Sequence, residues 1–94
     1  MTAEERLVVL KADLQLLTNA NDVYLATLLG MGEAAVNREG IKAEDGIEYD
    51  MAIIHYAAYL FRKRAAEDTA MPRYLRYELN QLLFSQKARA NDDL

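Results

Sequence analysis

The chain has 94 residues, 52% hydrophobic and 28% charged, with a formal net charge of −4. That is one small globular domain with a thin core, too apolar for a disordered segment and too acidic for a free-standing nucleic-acid binder. It has no cysteine, which excludes a disulfide scaffold, a thiol nucleophile and a Cys-ligated zinc site.

One proline and four glycines leave few breakers, which favours long helices. Thr2-Ala3-Glu4-Glu5 is a capping-box pattern, and Leu7, Leu10, Leu14 and Leu17 follow at helical spacing, predicting a first helix over about 2–17. Thr18 to Asp22 is a polar break in which Asn21 or Asp22 can cap a second helix running to about Glu39. Leu25, Leu28, Leu29, Gly32, Ala35 and Val36 share a face of that helix, and Gly40 stands where a C′ glycine belongs. Gly30 and Gly32 each cost about 1 kcal/mol relative to Ala inside a helix. Close approach of a neighbouring helix would use them; a break near residue 30 is the alternative.

Gly40 to Gly46 reads as a charged loop. A third helix begins between Ala43 and Glu48 and runs to about Ala66. Its centre, Met51 to Phe61, is apolar almost all round, which marks it as the central element. Arg62-Lys63-Arg64 suits its C-terminal end. Glu67-Asp68-Thr69-Ala70 is the next break. Pro72 opens a fourth helix with Leu75, Leu79, Leu82 and Leu83 on one face, ending about Lys87. Residues 88–94 read as a polar, frayed, flexible tail. The fold class is therefore all-α, a single domain over 1–94 with four principal helices around a hydrophobic third. No signal segment is expected, because Glu4, Glu5, Lys11 and Asp13 interrupt the N-terminal region. Met51–Phe61 is too short to span a bilayer, so a soluble intracellular protein is the expectation.

The catalytic inventory is poor. His55 is the only histidine, so a two-His metal site cannot be built within one chain, and no triad partner can be named for it. A satisfied core or interface histidine is the expectation. Ser85 is the only serine. Asp45, Glu48 and Asp50 do not match a calcium loop and read as solvated acids at a helix start. Gly30 and Gly32 lack the rest of a phosphate-binding loop. No catalytic residue, cofactor or metal is assigned, and the chain is not expected to be an enzyme.

Charge is uneven. Residues 1–50 hold four basic side chains against ten acidic, net −6; residues 51–94 hold seven against five, net +2. Such a chain can attract copies of itself head to tail; the alternative is that each helix simply has a solvated charged face. Arg62, Arg64, Arg73 and Arg76, with Tyr74 and Tyr77 beside them, bracket the end of helix three and the start of helix four. Arg and Tyr are enriched in protein contacts, so these six are the candidate interface with another subunit or a partner protein. The break between helices three and four is too long for a helix-turn-helix.

Tyr49-Asp50-Met51 and Ile54-His55-Tyr56-Ala57-Ala58-Tyr59-Leu60-Phe61-Arg62-Lys63-Arg64, followed by Met71-Pro72-Arg73-Tyr74-Leu75-Arg76-Tyr77-Glu78-Leu79-Asn80 and Leu82-Leu83-Phe84-Ser85-Gln86-Lys87, resemble the head–tail connector (adaptor) proteins of long-tailed bacteriophages and prophages. With Asn37-Arg38-Glu39-Gly40-Ile41 the resemblance covers about residues 20–88. It implies a structural virion component made and assembled in the bacterial cytoplasm. The resemblance also implies a ring of about a dozen copies below the portal; heterologous contacts are compatible with this, since they close into rings when the rotation permits. Expected partners are further copies, the portal and tail or head-completion proteins, with phage DNA passing without sequence-specific contact. An acidic chain suits such a conduit, because basic lumen contacts hold phosphate. The alternative is a small helical regulatory or antitoxin-like module that binds a protein partner through helices three and four.

Overall fold

The computed structural model describes residues 1–65 and 70–92, and all regular structure among them is helical. The elements are α1 (Ala3–Asp13), α2 (Asp22–Arg38), α3 (Ile47–Lys63) and α4 (Arg73–Asp92). The expected small all-α bundle is present, and α3 packs against each of the other three helices. Ala52, Ile53, Ile54, Ala57 and Ala58 of α3 are essentially inaccessible to water.

The capping box forms: Glu5 N–H donates to Thr2 Oγ1 and Thr2 N–H donates to Glu5 Oε1. The helix it starts is shorter than the leucine spacing predicts. It ends at Asp13 because Gln15 adopts a left-handed conformation, φ +58°. Gln15 N–H donates to the Ala12 carbonyl and Leu16 N–H to the Lys11 carbonyl, the paired bonds of a Schellman closure. The turn brings Leu16 against the core in place of Leu17, which is 97% exposed.

The predicted face of α2 is the buried one, residue for residue. Asn21 occupies the N-cap without a side-chain cap bond. The helix does not break at residue 30, and its two glycines differ. A Cβ on Gly32 would lie 3.0 Å from the Ile53 carbonyl oxygen and 3.4 Å from the Ala57 nitrogen, whereas one on Gly30 meets nothing within 4 Å. Only Gly32 serves close helix approach. Gly30→Ala is therefore expected to stabilise by about 1 kcal/mol, a rise in Tm of about 4–8 °C. Gly32→Ala is expected to lower Tm, because rigid backbone faces the added methyl. Thermal unfolding of the two variants measures this, and shifts of the same sign would refute the assigned contact.

Gly40 closes α2 with φ +96°, and Ile41 then plugs the core. Gly46 caps α3, which ends at Lys63 with Arg64 as C-cap. Ala66 and the break predicted at 67–69 lie outside the described residues. Pro72 stands just before α4, its carbonyl accepting from Leu75 and Arg76 N–H. Leu75, Leu79 and Leu82 are buried and Leu83 is half-buried.

The polar segment expected to fray from residue 88 instead continues α4 to Asp92. Long-range ties explain this. Gln86 exchanges two 2.8 Å hydrogen bonds with the Lys42 backbone, and Arg89 meets Glu44 at 3.1 Å. Residues 93–94 lie outside the described residues.

Candidate functional site

The four candidate arginines do not form one patch. Arg64 stacks over Phe61, 4.3 Å from the ring centroid, and over Tyr24 at 5.0 Å, near the start of α2. Arg76 makes a two-pronged contact with Glu39, at 2.8 and 3.0 Å, just past the other end of that helix. At 1.5 Å per residue those anchor points are roughly 20 Å apart. Arg62 faces Asp13 at 3.4 Å. Arg62 and Arg76 thus already have anionic partners within the chain, from segments distant in sequence.

Arg76 hydrogen bonds hold the Glu39 carboxyl below its usual range, against a smaller upward push from burial. Arg73, Tyr74 and Tyr77 remain on the outer surface of α4. Tyr74 and Tyr77 are more than half exposed, and Arg73 makes no ion pair or hydrogen bond among the described residues. Of the six tyrosines, Tyr49 and Tyr59 are buried, and Tyr49 donates its hydroxyl hydrogen to Asn37 Oδ1 at 2.9 Å.

His55 does have a charged partner. Its Nδ1–H donates to both oxygens of Glu78, at 2.8 and 3.0 Å, and Tyr74 lies edge-on to the imidazole at 6.5 Å. The hydrogen bond to Glu78 raises the imidazole pKa, outweighing the opposing effect of burial. The two residues are 23 apart in sequence, so no local spacing announces the pair. Ser85 lies on the same side of α4, two helical turns or about 10 Å beyond Glu78. No hydrogen bond joins it to His55 among the described residues. The imidazole is thus hydrogen-bonded and partly buried in this arrangement, a satisfied histidine.

His55 and Glu78 form one end of a groove of about 760 Å³ between α3 and α4. Ile47, Met51, Tyr77 and Leu82 supply its apolar surface, with Glu48 and the Arg89–Glu44 pair at its other end. Hydrogen bonding from Arg89 lowers the Glu44 pKa. Sequence spacing did not indicate this groove, because its walls come from helices whose inward faces are read as core.

The three acids at the start of α3 separate. Asp45 and Glu48 are exposed, as expected of a solvated helix start. Asp50 is buried and receives Arg6 Nε–H at 2.8 Å and the N-terminal ammonium at 3.2 Å. Among the described residues no three acidic or histidine side chains converge as a metal site, and no helix is long and apolar enough to cross a membrane.

These features define a small all-α domain whose described surface offers a groove and exposed aromatic residues. No protein-family model, curated protein or solved structure matches the chain.

Proposed function

We propose that the chain is a structural subunit of a bacteriophage or prophage head–tail connector, assembling below the portal as part of the DNA conduit. The observation that carries this reading is the outer surface of α4. Arg73, Tyr74 and Tyr77 fall within the segment that resembles such adaptors, and they stand in solvent instead of the core. Large exposed side chains of these types suit contact with another protein. The net charge of −4 supports a conduit through which DNA slides without adhering. The virion is the corresponding location.

Capture by portal protein of the phage or prophage that encodes the chain tests this reading. The wild-type chain should bind portal rings and add a further ring visible by electron microscopy. Arg73→Glu with Tyr74→Ala should weaken capture at least about tenfold, equivalent to about 1.4 kcal/mol, with unfolding unchanged. Arg76→Glu is the wrong probe, since it would set two carboxylates together at Glu39 and disturb the fold. A wild-type chain that ignores the portal, or a double variant captured as well as wild type, would overturn the proposal.

A further inference from the structure

We infer that the α3–α4 groove receives the α1–α2 corner of a second copy of this chain, so that copies join head to tail. The inference rests on the structural-subunit reading for its setting; the contact itself is argued from two surfaces that one molecule carries and cannot bring together.

The first surface is the corner. Leu17 and Val23 are 97% and 84% exposed, the two most exposed large apolar side chains described. The corner lies beside the C-terminal end of α3, because Arg62 reaches Asp13 and Arg64 covers Tyr24. Among the described residues its charged surroundings are Lys11, Arg62 and Arg64 against Asp13 and Asp22, one cation in excess. Asp22 is already held by Lys11 at 2.9 Å, and Asp13 by Arg62.

The second surface is the groove. Ile47 and Tyr77 are each about two-thirds exposed on its walls. Its charged lining is Glu44, Glu48 and Glu78 against Arg89 and His55, and Glu48 has no ion-pair partner among the described residues. An exposed apolar corner with Arg64 as its cation lacking an ion-pair partner among the described residues thus matches an apolar groove with Glu48 as its acid lacking one.

The groove occupies the first half of α3 and the corner sits at its last turn. At 1.5 Å per residue, the ends of this helix are roughly 25 Å apart. The corner of a molecule cannot fill its own groove, so the complementary pair must come from two molecules. Such a contact is heterologous and propagates, closing into a ring or continuing as a filament. Opposite charge speeds encounter and fixes orientation, and burial of Leu17 and Val23 supplies apolar contact.

Two variants on exposed positions test the pairing. Leu17→Asp with Val23→Asp removes the corner; Ile47→Asp with Tyr77→Asp removes the groove's exposed apolar walls. The introduced acids at positions 23 and 47 fall in first helical turns, where the dipole tolerates them. Sedimentation velocity should show concentration-dependent association of the wild-type chain that weakens as salt rises. Each variant alone should remain monomeric at concentrations where wild type associates. Mixed in equal amounts they should form a one-to-one dimer and nothing larger, because only one intact corner meets one intact groove. A monomeric wild type at all concentrations, association unchanged in either variant, or a mixture that stays monomeric would each overturn the contact. Failure of the connector reading shows separately, as loss of portal capture by wild type.

Discussion

Ile54→Asp should abolish cooperative folding at room temperature. Ile54 is completely buried in the middle of α3, the helix that every other helix packs against. Truncating a large aliphatic side chain there costs about 2–5 kcal/mol. An unpaired carboxylate in the same space adds several kcal/mol, or forces its own protonation at comparable cost. Domains of this size have about 5–15 kcal/mol in total, so the sum consumes most or all of the stability. Circular dichroism should show reduced helical signal and no sigmoidal thermal transition. Leu17→Asp is the matched control: the same introduced charge at an exposed site should change stability by no more than about 0.5 kcal/mol. A cooperative transition retained by Ile54→Asp, within a few degrees of wild type, would contradict the central placing of α3.

The contrast between positions 54 and 17 also marks how far the sequence could be read. Helical spacing located the buried faces of α2 and α4 and the central place of α3, because apolar side chains reach the core only at that period. It misplaced Leu17 for a specific reason. The leucine spacing runs on past the real end of α1, and the residue that turns the chain is Gln15, not a glycine, so no turn signal interrupts the pattern. The end of α4 was hidden differently. Ala88 to Asp92 is polar, but Gln86 and Arg89 secure that turn to the α2–α3 connection through partners more than forty residues away. The same property concealed the site. Arg76 and Glu39, His55 and Glu78, and Arg6 and Asp50 are pairs whose members lie on different helices, and a residue's charge says nothing local about which helix will face it. The cations could be counted from the sequence, but not which of them were already neutralised.

Asp50 is the charged group whose removal should matter most to the fold. Its carboxylate is buried between Arg6 Nε–H and the N-terminal ammonium, while Arg6 also reaches Glu33 at 3.1 Å. This cluster fastens α1 to α2 and α3. Burial alone would raise the Asp50 pKa, but the hydrogen bonds and positive charges of Arg6 and the N-terminus outweigh it and leave the pKa below its ordinary value. Asp50→Ala should cost about 3 kcal/mol near neutral pH, since it removes the buried anion of the cluster and leaves the largely enclosed Arg6 guanidinium only the more exposed Glu33. Asp50→Asn should cost less, because its side-chain oxygen still accepts from Arg6. With the folded-state pKa below the unfolded one, the carboxylate's contribution is present above about pH 3.9 and is lost as pH falls through the folded value. Urea unfolding of wild type and Asp50→Asn across that range should therefore give curves that lie apart near neutrality and converge in acid. A gap that persists after Asp50 has taken up its proton would mean that the shape of the side chain, and not its charge, holds α1 in place.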